Sequence, residues 1–451
     1  MNKARNSGKR QPLAVSDRDW ANSRPVLVSR PPALGAAAQS LGRAHYSYGF
    51  AADAFERMFD RMDVELRLVE APEQFKGPGY AAANGYQPGQ HLHLIFRSTE
   101  EIRPIDGAYN IACFAWEFDA LKHDGLPTES ILADQVGMLR ACNEIWTPCR
   151  YTKRVLARYG LDRVHVIPAP IERQDPASGP RHGHLRAIEL LESVPLVTRS
   201  SGSEEDFVRL AARHTGPLRS HPQLRRAADG GHVFLTVCNP YDTRKNLAAL
   251  IEGFQMATQD RDDCVLVVKL VTSGVFGSPA GYLYHQIRVL FGNPHCLHDD
   301  SVILFSSFLA DEEMSALYNG ADFYVSASIG EGQNLPLLEA MAHGCIPVAV
   351  ANTAMADYID EADAVVIAER RFTGMFSGIA GDVAGVRLTV PFADRFSVAA
   401  AITAALELDG DAKARKQEAA RATVARLFSP EAVFDAVTAR ARAVMPASEL
   451  W

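Results

Sequence analysis

The sequence predicts an α/β chain made of two Rossmann-like domains in tandem, facing each other across a cleft. Three observations carry this expectation. Short buried runs alternate with amphipathic helical stretches from residue 25 onward, the alternation lapses over residues 172–230, and it resumes at His232. Such alternation gives a mostly parallel sheet with helices on both faces. A chain of 451 residues is also too long for one ordinary core, so two domains plus tails are expected.

In the first series, Pro25–Ser29 reads as a buried strand, and Tyr48–Met62 as a helix with Phe50, Ala54, Phe55, Met58 and Phe59 at helical spacing. Val64–Val69, His91–Phe96 and Tyr109–Phe114 are further strands. Ile131–Arg140 and Arg150–Tyr159 are helical, with strand Asn143–Thr147 between them and Gly160 closing the second. Val164–Ile167 is the last strand, stopped by Pro168 and Pro170. The stretch that follows is rich in Ser, Gly, Arg and His. It reads as an interdomain connection with an insertion and a helix near Glu204–Arg213. The second series has strands at Val233–Val237, Cys264–Leu270, Val302–Phe305, Phe323–Ser326 and Pro347–Val350. Its helices are Leu247–Met256, Gly281–Leu290 and Glu312–Tyr318. Arg395–Leu408, Ala412–Leu427 and Pro430–Met445 are terminal helices. The predicted division is a disordered tail 1–24, an N-terminal domain 25–171, the connection 172–230, a C-terminal domain 231–394 and helices 395–451.

Apolar residues at 47% and charged residues at 22% fit a soluble globular protein. A net charge of −8 gives no global pull towards nucleic acid, and none is expected as a partner. The seven cysteines are scattered, odd in number and never paired as C-x-x-C. That argues against a disulfide framework or zinc cluster and fits a reducing cytosol. Lys3, Arg5, Lys9 and Arg10 have no apolar stretch behind them, and no later segment reaches the ~18 apolar residues of a spanning helix. The expected location is cytoplasmic. Peripheral contact of the basic tail with the inner, anionic membrane face is the alternative to a plain polar tail.

The stretch richest in chemistry is Ser328–Val350, SIGEGQNLPLLEAMAHGCIPVAV. It leaves a strand through a Gly-rich turn and opens a helix, with Asn334 as cap candidate, Pro336 in the first turn and Gly344 at the end. Glu331 lies on the turn, at the carboxyl end of the strand, and Glu339 lies about one turn into the helix. A carboxylate accepts two adjacent hydroxyls well, as on a ribose, and a helix N-terminus offers N–H groups to phosphate or sugar oxygens. Taken alone, both read equally well as surface glutamates favoured by the helix dipole. In Thr236–Phe254, Arg244 and Lys245 are adjacent cations between a strand end and a helix start. They suit a departing diphosphate; the alternative is a solvated loop pair of charges.

Glu331, Gly332, Leu335, Pro336, Glu339, Ala340, Met341, Gly344 and Pro347 resemble the E-x7-E signature of retaining GT-B glycosyltransferases of family 4, the glycosyl transferases group 1. The usual pattern is E-G-F-G-L-P-x-x-E-A-M-A-x-G-x-P-V; Gln333 and Asn334 replace its Phe and second Gly. Asn is the non-Gly residue that best tolerates a left-handed backbone, so the loop shape is expected to persist. The resemblance implies that Glu339 binds the donor ribose, that Glu331 sits against the donor sugar, and that the loop through Gly332, Gln333, Asn334 and Leu335 lines the donor site. Lys245–Asn246 matches the family's Lys-Asn at the diphosphate. The Arg expected a few residues earlier is absent, since Asn239 and Pro240 stand there, so Arg244 is the candidate second cation. Phe308 and Leu309 match the loop beneath the nucleotide base, or are ordinary core residues. Lys269, on an otherwise apolar strand, either faces the cleft or snorkels.

The N-terminal half carries weaker signals. Tyr109–Leu121 resembles a variant segment found where other members have a catalytic-site His. Trp116, Glu117 and Asp119 there either face the acceptor or make a capped strand end with a packed Trp. His123 is a lone candidate, and Gly35 and Gly42 a candidate loop near the diphosphate. The resemblance implies retaining transfer from a nucleotide-sugar donor to a glycan or lipid-linked acceptor. No cofactor and no metal are expected, because no D-x-D stands in a plausible site. A nucleotide-sugar epimerase of the same architecture and a non-catalytic nucleotide-sugar or glycan-binding protein are the alternatives.

Overall fold

The computed structural model describes residues 25–31, 44–76, 90–121, 134–172, 186–191, 225–227, 229–240, 242–271, 301–305, 307–375 and 387–445. The helices expected at Glu204–Arg213 and Gly281–Leu290, together with Gly35, Gly42 and His123, lie outside them.

The N-terminal sheet is β1 (Val26–Ser29), β2 (Leu66–Leu68), β3 (Leu92–Ile95), β4 (Tyr109–Cys113), β5 (Glu144–Thr147) and β6 (Val164–Val166), in the order β2-β1-β3-β4-β5-β6. The C-terminal sheet is β7 (His232–Cys238), β8 (Cys264–Leu270), β9 (Val302–Phe305), β10 (Phe323–Ser326), β11 (Ile346–Ala349) and β12 (Val365–Val366), in the order β12-β11-β10-β7-β8-β9. Every pairing recorded in both sheets is parallel. Strands covered on both faces read as continuous apolar runs. β8, CVLVVKL, is buried along its whole length.

The helices named below are α1 (Ala44–Arg61), α2 (Gln135–Arg140), α3 (Arg150–Ala157), α4 (Leu247–Ala257), α5 (Asp311–Asn319), α6 (Leu335–His343), α7 (Arg395–Leu406), α8 (Gly410–Phe428) and α9 (Pro430–Val444). The cap of α6 departs from the sequence expectation. Asn334 holds the N-cap position at φ 63°, but its amide makes no capping bond. It donates instead to Ser326 Oγ at 3.1 Å. Gly344 ends α6 at φ 92°, a left-handed conformation that strains any residue with a side chain.

The next element was not expected from the strand–helix alternation. An antiparallel hairpin, β13 (Arg370–Met375) with β14 (Arg387–Phe392), follows the second sheet. Leu388 and Val390 alternate inward and join Ile329 in one core with Phe114, Trp116 and Phe118 of the N-terminal half. Of the terminal helices, α7 and α8 pack in the C-terminal core through Ile402 and Val424, and α9 returns to the N-terminal domain. Val433, Val437 and Ala441 of α9 pack with Phe55, Met58 and Phe59 of α1. Buried Glu144 accepts from Tyr109 Oη and Trp146 Nε1, both at 3.1 Å, and pairs with Arg440 of α9. A buried carboxylate needs such partners.

The chain crosses between the two cores within a few residues. Ile167 and Ala169 belong to the N-terminal core, and Ile171 belongs to the C-terminal one. Among the described residues no helix is long and apolar enough to cross a membrane.

Candidate active site

In an open parallel sheet, ligands bind beyond the carboxyl ends of the strands where the strand order reverses. In the C-terminal sheet that point lies between β7 and β10, because β7 leads on to β8 and β10 to β11 on opposite sides. The loops that follow these two strands therefore meet. The Ile329 amide donates to the Arg244 carbonyl at 2.7 Å. The sequence separates Lys245 from Glu331 by 86 residues, and the fold brings Lys245 Nζ to 2.6 Å from Glu331 Oε1.

Local structure aims both cations. After β7 the chain makes a short turn, Thr243–Lys245, capped by Asp242, whose side chain accepts the Arg244 amide at 3.1 Å. Asn246 then takes a left-handed conformation, φ 50°, with its amide donating to the carbonyls of Ala327 and Ala393. Arg244 is held in a fork by Asp242, Nε to Oδ1 at 2.9 Å and Nη2 to Oδ2 at 2.5 Å. Its Nη1 pairs with Glu117 of the N-terminal half, and its guanidinium lies 5.7 Å from the centre of the Phe118 ring. The opposing loop fits closely against the same segment. A Cβ on Gly330 would stand 3.0 Å from the Glu117 carbonyl oxygen, and one on Gly332 would stand 3.0 Å from the Ala115 Cβ.

The result is a largely buried cluster of three carboxylates, Glu117, Asp242 and Glu331, around two cations. Burial raises the Glu117 pKa to about 6, with Asp242 and Glu331 adding to the rise and Arg244 and Lys245 opposing it. Burial works against the charged form of Lys245, but Glu331 and Asp242 outweigh it and the pKa ends raised. The same balance raises that of Arg244. Both cations stay charged at neutral pH.

The other predicted residues fall into distinct places. Glu339, on α6, accepts from the Tyr318 hydroxyl at 2.7 Å, and burial raises its pKa against that bond. Leu335 opens α6 and packs partly buried against both domain cores. Asn239 begins the β7 loop, its carbonyl accepting the Asp242 amide at 3.2 Å. Phe308 is 77% exposed while its neighbour Leu309 is buried, so the core alternative holds for Leu309 only.

Gln333 and Lys269 depart from expectation, whereas Trp116 takes its packed alternative. Gln333, expected to line the donor site, has its carboxamide bonded to the Ala169 N–H and C=O at 2.9 and 2.8 Å, facing the interdomain crossing. Lys269 does not snorkel. It is buried, donates to the Leu270 carbonyl at 3.2 Å, lies 5.7 Å from the centre of the Phe305 ring, and burial lowers its pKa to about 8. Trp116 stacks on Phe114 and meets Phe118 edge-on. Asp119 accepts the Thr389 amide of the hairpin at 3.2 Å.

Sequence reading missed Asp242, Thr353 and Tyr318. Asp242 was within reach, since an Asp ahead of a short basic turn is a capping signal. Thr353, whose hydroxyl accepts the Glu331 amide at 2.8 Å, and Tyr318 meet their partners only through the fold.

Two Rossmann-like domains docked face to face, with a charge cluster at the switch point of the second, define the GT-B class. Residues 231–380 match the family model of glycosyl transferases group 1. Over 171 residues the chain is 28% identical to the serotype-specific mannosyltransferase WbdA of Escherichia coli. The match covers 37% of this chain and 19% of that relative, so the chain spans about a fifth of its length. Two solved structures share the fold across 94% of this chain. Sucrose-phosphate synthase from Thermosynechococcus elongatus is 15% identical, with a TM-score of 0.52 and 99% of that chain covered. A glycosyltransferase from Rickettsia africae is 13% identical, with a TM-score of 0.51 and 100% covered.

Proposed function

We propose that the chain transfers a hexose from a nucleotide-sugar donor to a hydroxyl of a glycan or lipid-linked acceptor, with retention at the anomeric carbon. The observation that carries this reading is the meeting of Lys245 and Glu331 at the switch point of a group 1 domain. The donor lies on the C-terminal domain. Glu339, oriented through Oε2 by Tyr318, takes the ribose hydroxyls. Lys245 and Arg244 take the diphosphate, and Glu331 the sugar. The mannosyltransferase among the relatives supports a hexose.

The paired cations fit this role if they exchange partners. A diphosphate brings more negative charge to a cluster already holding three carboxylates and two cations. Glu117 belongs to the opposite domain, so opening the cleft withdraws it and leaves Arg244 for phosphate oxygens. The acceptor hydroxyl attacks the front face of the anomeric carbon as the diphosphate leaves, and a donor phosphate oxygen takes its proton. No protein nucleophile and no metal take part in this scheme. Loss of activity to a chelator, with recovery on adding magnesium or manganese, would refute the metal-free part.

Incubation with a panel of labelled nucleotide-sugars tests the reading. Transfer, or slow donor hydrolysis without acceptor, is expected; sugar interconversion or binding alone would overturn it. Glu339→Ala is expected to weaken binding of the matching nucleoside diphosphate at least about tenfold, since a hydrogen bond to a charged group is worth roughly 1.5–3 kcal/mol. Unchanged affinity by calorimetry would remove the ribose assignment.

A further inference from the structure

We propose that Gln333 is a positioning residue that hangs the Glu331 loop on the interdomain crossing, so that the placement of Glu331 depends on the crossing. This rests on the reading of Glu331 as a donor-facing group.

The crossing has little backbone with which to be held. Pro168 and Pro170 flank Ala169 and carry no N–H, so Ala169 supplies the one amide donor of that tripeptide. Gln333 bonds both of its backbone groups, accepting from N at 2.9 Å and donating to O at 2.8 Å. A carboxamide carries one acceptor and one donor side by side and so copies the edge of a neighbouring strand. Ala169 packs in the N-terminal core, while Ile171 packs in the C-terminal core and donates its amide to the Phe428 carbonyl at 2.7 Å. Gln333 therefore grips the chain where it passes from one domain to the other. Its own carbonyl is fixed by the Tyr358 hydroxyl at 2.7 Å. Glu331 is two residues away, and the left-handed Asn334 follows directly. A shift at the crossing is carried by Gln333 to Glu331, two residues back on the same loop, where a side chain on the intervening Gly332 would crowd Ala115, its Cβ 3.0 Å from the Ala115 Cβ.

Gln333→Leu and Gln333→Glu test this. Gln333→Leu removes both bonds. Gln333→Glu keeps length and shape, but when ionised it cannot donate to the Ala169 carbonyl; when protonated, it re-forms both bonds. Hydrogen exchange of the full chain is expected to quicken in Gln333→Leu at Ala169 and together with it across residues 328–334, with the β8 amides unchanged. Quickening at Ala169 alone, or at neither place, would overturn the coupling. In turnover of the donor found by the panel, both variants are expected to lose about ten- to hundredfold in kcat at neutral pH, the scale of a misplacement near 1 Å, with donor KM little changed. Relative to the parent chain, Gln333→Glu should regain kcat as pH falls, whereas Gln333→Leu should not. Parent-like kcat and pH profile in both variants would overturn the positioning role. The exchange measurement needs no substrate, so a chain that turned over no nucleotide-sugar would sink the reading of the site while the coupling is still decided by exchange.

Discussion

Lys245→Ala is expected to lower kcat about 10²–10³-fold, the usual cost of losing one preorganised charged donor. The turn Thr243–Lys245 and the left-handed Asn246 set the ammonium at the point where the β7 and β10 loops meet. It is largely buried, and pairing with Glu331 keeps it charged despite that burial. Negative charge grows on the diphosphate as the sugar–phosphate bond breaks, so a fixed cation stabilises the transition state more than the ground state. The loss therefore belongs in kcat. Removing the cation also strands Glu331 in the interior. Breaking one side of a buried pair costs roughly 3–5 kcal/mol, so a lower melting temperature should accompany the slower turnover. Rates must be taken per folded molecule, and Lys245→Arg, which keeps the charge, should recover both properties in part. A folded Lys245→Ala variant with near-normal kcat would defeat the assignment.

Arg244→Ala is expected to slow turnover about as much as Lys245→Ala, and the double variant should cost less than the sum. Non-additivity follows because the two cations share one network with Glu117, Asp242 and Glu331. Arg244 has a second duty that Lys245 lacks: it ties the domains together through Glu117. Glu117→Gln separates the two duties. It weakens the tie, leaves the guanidinium held by Asp242, and removes the carboxylate that a diphosphate must displace. Its donor affinity should be unchanged or higher, while Arg244→Ala loses rate. If Arg244→Ala keeps near-normal kcat and only opens the domains, as judged by small-angle scattering, Arg244 is an interdomain tie and no more. The second cation would then be sought elsewhere, Lys269 first: it is buried near the end of β8, and Cys238 feels its charge as well as that of Lys245.

The amino-acid sequence by itself determined the two parallel sheets, the helices between them and the spans of most elements. Each of these depends on local periodicity and on Gly and Pro stops. It also determined the left-handed Asn334 and the closing Gly344, since few residue types accept those backbone angles. Glu331, Glu339 and Lys245 were legible as candidates because a motif holds them at fixed spacing. Tertiary structure alone decided who meets whom. Strand order makes the β7 and β10 loops neighbours, so the Lys245–Glu331 pair is a product of topology. Domain docking decided that Glu117 faces Arg244, that Gln333 turns to Ala169 and that the hairpin closes on Trp116 and Asp119. The pairing of buried polar groups depends on which segments are pressed together when water is excluded. Partners 86, 127 or 164 residues apart leave no trace in any local pattern.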